Sequence, residues 1–445
     1  MSILSTDLYQ LTMMAGYVAS NRHDVPATFE LFVRRLPRNR TYLIAAGLES
    51  ALTYLENLRF ADDDVEWLRA NAAFAGVGAA FFEYLTTFRF SGEVWAMPEG
   101  MPYFPNEPLL RVTAPLAQAQ LVETALLATL NYQSAVASKA ARIVHASNGR
   151  PVMEFGARRA HGLEAALGAA RAAFIAGCAS TSLVEAGRCF GIPLSGTMAH
   201  SWVLASSSER DAFVSYADLF KEQAVLLIDT YDTVDAAKLI VRSGLRPQAV
   251  RLDSGDLLAL SREVRQILDE GGLGATRILA SGDLDEWRIT ALLAAGAPID
   301  AFGVGTALST SEDAPALSGV YKLVEIGEAA NPRPVMKRST DKSTWPGTKQ
   351  VCRIVRDGVA IEDVVSLAGE PLPKNGEPLL EKVMSGGRRQ RATPSLSDLQ
   401  ARARTLIAQL PEGMRQLDAK SAYAIVQSAG LRELSARVEA ELARS

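Results

Sequence analysis

The order of apolar and polar positions in the first 130 residues predicts a mixed α+β region. An apolar stripe at helical spacing from Leu8 to Met14 predicts a helix whose cap is Ser5 or Thr6. Residues 27–33 alternate in the manner of a strand. Further helices are expected over about residues 46–58 and 117–146, and a turn-rich region or edge strand over residues 98–108, which contain four prolines.

From about Val152 the pattern changes to short β-type runs, each followed by a segment of helical period. Parallel strands need long crossover connections, so the repeated units predict a doubly wound sheet or a barrel. We expect a barrel, because polar clusters follow nearly every run and a barrel gathers its active site at the carboxyl ends of its strands. The runs are Val152–Phe155, Val225–Ile228, Ala249–Leu252, Arg277–Ala280 and Ile299–Phe302.

After Val324 this pattern ends. Residues 331–353 are polar and basic, with six Lys or Arg against one Asp. They are expected to form either a solvated loop or a lid over phosphate, and the Pro346-Gly347 pair between Lys342 and Lys349 favours the lid. The final ~50 residues predict amphipathic helix.

Composition excludes several classes of protein. Of 445 residues, 48% are hydrophobic and 22% charged, which is typical of a globular protein and unlike a disordered or fibrous one. The net charge of −4 gives no general attraction to nucleic acid or acidic membranes. Three cysteines far from metal-ligand or redox spacing fit a reducing compartment. Because neither a signal peptide nor an apolar stretch of membrane-spanning length is recognisable, the cytoplasm is the expected location.

Acidic and glycine-rich clusters follow the predicted strands. A single Asp in such a place most often caps the next helix, and a glycine usually serves a turn. Several clusters in one register indicate a shared site, because carboxylates bind Mg²⁺ and ribose hydroxyls while glycine turns at helix N-termini bind phosphate. We therefore predict a phosphosugar- and metal-binding active site between Asp229 and Thr306. The clusters are residues 154–159, 196–200, 229–232, 251–256, 281–283 and 303–306.

Side chains outside that row extend the predicted chemistry. His200 is either a core histidine or a catalyst, and its place after a strand-end Gly-Thr pair favours a catalyst that accepts a phosphoryl group or moves protons. Arg158 and Arg159 are either a solvated face or a two-point ligand for carboxylate or phosphate. Phe155 is placed to stack on a flat ring.

Eight stretches of the chain form an ordered set of motifs: TDLYQLTM (6–13), FELFVRRLP (29–37), AGLE (46–49), EFGARRA (154–160), GTMAHS (196–201), VRLDSGD (250–256), FGVGT (302–306) and PGTKQV (346–351). Together they resemble the nicotinate phosphoribosyltransferase family along nearly the whole chain to about residue 355. Chance does not produce so many motifs in one order.

The resemblance implies a reaction and an architecture. Nicotinate and phosphoribosyl pyrophosphate would give nicotinate mononucleotide and pyrophosphate, with ATP hydrolysis coupled to the transfer. The fold class would be α/β: an irregular α/β barrel over residues 131–325, with a discontinuous mixed α+β domain from both chain ends. Residues 1–130 would form one part of that domain, and residues 326–445, with the basic loop and helical tail, would pack with them. We expect Mg²⁺ as cofactor, ATP as co-substrate, a homodimer with shared active sites, and neither nucleic acid nor membrane as partner.

The resemblance also implies roles for single residues. His200 would be phosphorylated by ATP, and Asp253 and Arg251 would join it as catalytic residues. The pyridine ring would lie between Phe155 and the partner subunit's Tyr9. Residues implied for nicotinate are Tyr9, Phe155, Arg158, Thr181 and Ser182, with Arg251 also near its carboxylate; those for the phosphoribosyl group are Asp229, Gly282, Asp283, Gly303, Gly305 and Thr306; those for the metal are Asp253 and Asp283.

One segment bears on the choice of base. Nicotinamide-using relatives carry an Asp within the stretch that corresponds to residues 177–182, where this chain has none. An Asp would repel a carboxylate and could bond an amide, so Thr181 and Ser182 in that place favour nicotinate.

Two other functions fit the sequence less well. A barrel aldolase or isomerase would normally need a lysine at a strand end, and the strand ends between residues 152 and 306 have none. A non-catalytic ligand-binding or scaffolding protein would need neither His200 nor the row of acids. The chain after about residue 355 carries no motif with an assigned role.

Overall fold

Two sheet-centred units make up the structure, a computed structural model that describes residues 2–328, 330–339, 342–419 and 421–444. The first, here called the terminal unit, contains residues 1–134, 316–395 and 401–445. The second, here called the barrel unit, contains residues 135–315 and 396–400. The domain limits predicted from the sequence, after residues 130 and 325, remain a prediction.

The bounds of the helices follow in chain order. They are α1 (Leu8–Ala19), α2 (Leu48–Glu56), α3 (Asp62–Ala70), α4 (Ala79–Thr87), α5 (Leu116–Leu121), α6 (Glu123–Ala146), α7 (Leu163–Ile175), α8 (Val184–Phe190), α9 (His200–Leu204), α10 (Glu209–Phe220), α11 (Thr233–Arg242), α12 (Leu257–Glu270), α13 (Glu286–Ala294), α14 (Thr306–Ser309), α15 (Leu396–Gln409), α16 (Glu412–Arg415) and α17 (Ala429–Leu442). None of the described helices is long and apolar enough to cross a membrane.

The strands follow in the same order. They are β1 (Pro26–Val33), β2 (Leu43–Ile44), β3 (Glu93–Ala96), β4 (Pro102–Tyr103), β5 (Leu110–Pro115), β6 (Val152–Glu154), β7 (Ser180–Thr181), β8 (Val225–Leu227), β9 (Ala249–Leu252), β10 (Arg277–Ala280), β11 (Ala301–Val304), β12 (Gly319–Ile326), β13 (Arg333–Pro334), β14 (Lys349–Arg356), β15 (Val359–Leu367), β16 (Gly376–Pro378), β17 (Glu381–Ser385), β18 (Arg388–Arg389) and β19 (Ala424–Gln427).

The barrel unit is built on a parallel sheet with strand order β7-β6-β11-β10-β9-β8. The sheet curls into a half barrel, so the predicted α/β class with an irregular barrel is confirmed. Central parallel strands are short and mostly aliphatic, and β9 and β10 have the predicted limits, each with one arginine among buried apolar residues. Strand β11 begins two residues later than predicted, and β7 was not predicted. All carboxyl ends meet at one edge, which places the predicted clusters together.

Three of the strand-end acids serve as helix caps. The carboxylate of Asp232 accepts the Asp235 N–H at the start of α11. Asp256 accepts two backbone N–H groups at the start of α12, and Asp285 accepts the Arg288 N–H of α13. Such caps satisfy donors that have no partner inside the helix.

The terminal unit has two larger sheets. The first has strand order β13-β12-β1-β5-β3-β17-β18, and the second β16-β14-β15-β19. Strand β1 lies between two antiparallel neighbours and is buried along nearly its whole length. The first helix begins as predicted at Leu8, but its N-cap is Asp7 rather than Ser5 or Thr6. The tail is not helix alone, because β19 pairs in parallel with β15 between α16 and α17.

The basic stretch after residue 330 contains buried ion pairs. Lys349 is 3% exposed, and its Nζ lies 2.8 Å from Glu30 Oε2. Arg353, also 3% exposed, forms a two-point pair with Asp363. The expectation of a solvated loop or phosphate lid is therefore wrong for Lys349 and Arg353. Thr340 and Asp341, part of the predicted lid, lie outside the described residues.

Candidate active site

His200 lies at the carboxyl edge of the half barrel, as the first residue of α9. Its Nδ1 is 3.1 Å from the Thr230 hydroxyl, which follows β8. Its Nε2 is 4.0 Å from Asp253 Oδ2, and 43% of the side chain is exposed. The imidazole is therefore oriented by one neighbour and open to an incoming group.

Arg251 and Asp253 lie two residues apart at the end of β9, so their side chains point to the same side of the sheet. Arg251 Nη2 donates to Asp253 Oδ1 at 2.7 Å. The same guanidinium donates to the hydroxyls of Ser281 and Thr197, each at 2.8 Å. Charge-assisted bonds in several directions hold the guanidinium in one orientation.

The neighbours of Asp253 keep its carboxylate ionised. Burial by itself would raise its pKa, but the hydrogen bond from Ser281 and the charge of Arg251 outweigh burial and lower the pKa from its usual value. The Asp253 N–H and the Ser254 hydroxyl both donate to Asp229 Oδ2. The other oxygen, Asp229 Oδ1, is buried and has no partner among the described residues. A buried acceptor in that state can receive a ligand hydroxyl or cation.

Phe155 follows β6 and lies between two neighbours, Arg251 of this cluster and Gly303 of β11. The Arg251 guanidinium carbon lies 5.5 Å from the centre of the Phe155 ring. The ring also passes close to Gly303, where an added Cβ would meet ring carbons at 2.5 and 2.6 Å. Gly303 is thus needed to make room for the ring.

The other two glycines of the predicted phosphate site, Gly282 and Gly305, lie in different surroundings. Gly282 has φ +93°, and an added Cβ would lie 2.0 Å from the Asp253 carbonyl oxygen. Gly305 precedes α14, whose first residue is Thr306. The first N–H groups of a helix have no acceptor within it, so the start of α14 offers donors to an anion.

Glu154 is a buried acid beside this site. Its side chain accepts hydrogen bonds from the Gly156 N–H and from the Thr181 hydroxyl. Burial raises the pKa of Glu154, and the two donors oppose that rise. Thr181, predicted to contact the base, is fully buried and bonded to Glu154.

The structure does not bring all predicted residues into one contact network. Arg158 is exposed on a short 3₁₀ turn and makes no side-chain hydrogen bond to another described residue. Ser182 and Asp283 are exposed, the latter with a left-handed φ of +48°. Tyr9 belongs to the terminal unit and is 47% exposed. The connected residues are Phe155, Arg251, Asp253, His200, Asp229, Gly282 and Gly303.

Sequence reasoning missed several polar partners in this network. The predicted clusters contain three such hydroxyl residues, Thr197, Thr230 and Ser281. Their sequence neighbourhood indicates only turn residues and gives no sign of a role in the site. A hydroxyl between two charged strand-end residues is a usable signal, since it can accept from one and donate to the other. Within the described part of the chain, no group of three or more His, Cys, Asp or Glu side chains is arranged to hold a metal ion by itself.

Comparisons with known proteins agree with the motifs. Residues 4–131 match the family model of the nicotinate phosphoribosyltransferase (NAPRTase) N-terminal domain. The chain is 45% identical to nicotinate phosphoribosyltransferase pncB2 of Mycobacterium tuberculosis over 99% of this chain and 93% of the relative. It is 45% identical to the Bacillus subtilis nicotinate phosphoribosyltransferase, over 79% of this chain and 73% of the relative. The crystal structure of human nicotinic acid phosphoribosyltransferase superposes with a TM-score of 0.86 at 30% identity, covering 98% of this chain and 99% of that one.

Proposed function

The chain belongs to the nicotinate phosphoribosyltransferase family of NAD biosynthesis, and we propose that it couples the transfer to ATP through a phosphorylated His200. In the transfer, the pyridine nitrogen of nicotinate bonds to the anomeric carbon of phosphoribosyl pyrophosphate as the bond to pyrophosphate breaks. In the coupled step, ATP and water give ADP and phosphate. The contact network from Phe155 through Arg251 and Asp253 to His200 is the observation that carries the proposal.

Nicotinate would bind at the Phe155 end of this network. The ring of Phe155 offers a flat face, and the Arg251 guanidinium beside it offers positive charge for a carboxylate. Arg158, exposed on the next turn and without an ion pair to another described residue, can supply a second guanidinium. The partner subunit's Tyr9 would cover the other face of the ring in a homodimer, which its exposure permits.

Ribose would bind at the acidic end. Asp229 has a buried oxygen without a described partner, and Asp253 is held ionised, so both can accept from ribose hydroxyls. Positive charge develops on the sugar as pyrophosphate departs, and nearby carboxylates stabilise that charge. The 5′-phosphate would take backbone donors from the turns at Gly282, Gly303, Gly305 and Thr306.

Magnesium fits this donor set as an ion that arrives with the pyrophosphate. Protein sites bind Mg²⁺ through one or two carboxylates together with substrate phosphates, so a cage of protein ligands is not required. Asp253 and Asp283 would hold the ion, and the unpartnered Asp229 oxygen offers a further oxygen nearby. When bound, the ion offsets the negative charge of the leaving group.

The surroundings of His200 suit a phosphoryl acceptor. Thr230 engages Nδ1, so a proton on Nδ1 would leave the lone pair of Nε2 free to attack phosphorus. A nitrogen–phosphorus bond would form as the bond from the ATP terminal phosphorus to its bridging oxygen breaks, releasing ADP. Water would later cleave the phosphohistidine to give phosphate and restore His200.

Residues 177–182 favour nicotinate over nicotinamide as the base. The Thr181 hydroxyl is occupied by Glu154, so this threonine would shape the base pocket from behind while Ser182 remains exposed. No acid stands between residues 177 and 182 to repel a carboxylate.

The direct test incubates the protein with nicotinate, phosphoribosyl pyrophosphate, Mg²⁺ and ATP, and follows nicotinate mononucleotide and ADP. We expect both products from the wild type, and from His200→Ala we expect nucleotide without coupled ADP formation. Nicotinamide in place of nicotinate is the control for base choice. Absence of nucleotide from the wild type would refute the transfer, and ADP formation that survives in His200→Ala would refute the phosphohistidine.

A further inference from the structure

Glu154 is a carboxylate that the proposed chemistry does not use. It is the last residue of β6, is 1% exposed and has β7 and β11 as neighbouring strands. Its two side-chain oxygens accept from different segments: Oε1 from the Gly156 N–H and Oε2 from the Thr181 hydroxyl, the latter at 2.6 Å. A buried acid with a separate donor on each oxygen holds those two segments at a fixed spacing.

The first segment is the turn that carries Phe155. Gly156 is buried, so its N–H would have no acceptor without the Glu154 carboxylate. The Phe155 N–H donates to Val304 of β11 at 2.8 Å, and the Gly156 carbonyl accepts the Arg159 N–H at 2.8 Å. The Glu154 bond therefore closes the turn on which Phe155 and the following arginines stand.

The second segment is the end of β7. The Thr181 hydroxyl donates to Glu154 and accepts the Leu183 N–H at 3.1 Å. The Thr181 carbonyl accepts the Ser195 N–H at 3.0 Å, just before the loop that leads to Thr197 and His200. Through Thr181, Glu154 is thus also connected to the segment that begins at Ser195 and leads to His200.

We propose that Glu154 is a positioning residue that sets the spacing between the Phe155 turn and the Thr181 turn, and so fixes the width of the base pocket. The inference rests on the proposed function for the identity of the base. Glu154 contacts neither base nor sugar and acts through the two turns that it joins.

Only a carboxylate satisfies both turns at once. Glutamine has the same shape but offers one acceptor and one donor. The Thr181 hydroxyl already accepts from Leu183, so a donor in place of Oε2 would leave the hydroxyl proton without an acceptor. The Glu154→Gln change therefore removes one bond of the pair while it preserves volume.

The kinetic test compares Glu154→Gln with the wild type in the nucleotide-forming assay. We expect the KM for nicotinate to rise by about tenfold, the factor that the loss of one buried hydrogen bond produces. The KM for phosphoribosyl pyrophosphate should change less than about twofold, because the ribose end is held by other residues. Equal rises in both KM values, or none in either, would overturn the inference.

Two further variants guard against a general loss of folding. Thr181→Val removes the hydroxyl at equal size and should raise the nicotinate KM. Thr181→Ser retains the hydroxyl and should keep the nicotinate KM near the wild-type value. Glu286→Gln is the matched control, because Glu286 is also a fully buried acid of the barrel unit but bonds to Lys139 and Arg142 instead. It should lower the melting temperature without changing the nicotinate KM; a rise as large as that of Glu154→Gln would mean that any buried acid gives this effect.

Amide hydrogen exchange separates the inference from the proposed function. The peptide that begins at Thr181 and contains Leu183 should exchange at least about tenfold faster in Glu154→Gln, because the Thr181 hydroxyl that accepts the Leu183 N–H loses its own acceptor. Unchanged exchange would overturn the positioning role whatever the substrate is. A wild type that forms no nucleotide while the exchange rises as expected would instead refute only the proposed base.

Discussion

Gly303→Ala provides the most direct test that the Phe155 ring is the platform for the base. A Cβ at residue 303 would lie 2.5 and 2.6 Å from two ring carbons. Ordinary carbon contacts are about 3.5–4.0 Å, so the ring must move by about 1 Å. Such overpacking costs about 1–3 kcal/mol of stability, and a displacement of that size at a reacting centre costs about 10²-fold in rate.

The assay is the steady-state formation of nicotinate mononucleotide with each substrate varied in turn. We expect kcat/KM for nicotinate to fall by about 100-fold, and the melting temperature to fall by a few degrees, since 1 kcal/mol corresponds to about 2–4 °C for units of this size. Gly274→Ala is the control, because its added Cβ would meet only the Asp269 carboxylate oxygen, at 3.6 Å.

A double mutant identifies the cause of the loss. In Phe155→Ala the ring is absent, so adding Gly303→Ala should lower kcat/KM by less than about threefold. Gly303→Ala alone with a nicotinate kcat/KM within about threefold of the wild type would refute the platform role of the ring. A rise confined to the KM for phosphoribosyl pyrophosphate would instead identify Gly303 as a phosphate-binding position.

Three further outcomes are expected. Arg158→Ala should raise the nicotinate KM at least about tenfold with little change in melting temperature, because an exposed guanidinium that binds a carboxylate contributes about 1.5–3 kcal/mol; an unchanged KM would move the carboxylate site elsewhere. Lys349→Met should cost about 1–3 kcal/mol in the free energy of unfolding by denaturant titration, because Glu30 Oε2 loses its buried partner while the backbone N–H of residue 349 and the Arg111 charge still face the carboxylate. Adding Glu30→Leu should recover most of that loss, and a purely additive double mutant would contradict the pairing. The pKa of Asp253 is lowered on folding, so its contribution to stability is complete above the unfolded pKa of about 4 and is lost as pH falls through the folded pKa; Asp253→Asn should therefore show a smaller slope of unfolding free energy between about pH 5 and pH 2, and equal slopes would contradict the shift.

The central parallel strands were predictable because they are short, mostly aliphatic runs. Strands β9 and β10 show this in the agreement of their limits. Strand β11 begins later than predicted, after Asp300, which donates its N–H to the Ile278 carbonyl and accepts the Ile278 N–H with its carboxylate. Strand β7 has two polar residues and pairs with β6, where Thr181 bonds to Glu154, and with Leu194 on its other side. A local pattern contains no information about these partners.

The terminal unit was harder to predict because its buried charges are paired over long distances in sequence. Local composition predicts a solvated or phosphate-binding Lys349, since residues 331–353 are polar and basic. Its partner Glu30 is 319 residues away, inside a strand that otherwise looks like ordinary core. Arg353 shows the other case, because Asp363 is on the next strand but becomes its partner only through antiparallel pairing. Local composition therefore indicated exposure where the fold supplies a counter-charge.

An acid at a strand end can cap a helix or bind a ligand, and a glycine there can relieve a steric contact or bind phosphate. The contacts of each residue distinguish these uses. Asp232 Oδ1 caps α11 by accepting the Asp235 N–H, whereas Asp229 keeps a buried oxygen without a described partner. For glycine the distinction is steric: Gly282 and Gly303 are required by the Asp253 carbonyl and the Phe155 ring, whether or not phosphate binds. Their presence is therefore weak support for a phosphate site by itself. The stronger support comes from the start of α14 at Thr306, where the first N–H groups have no acceptor within the helix.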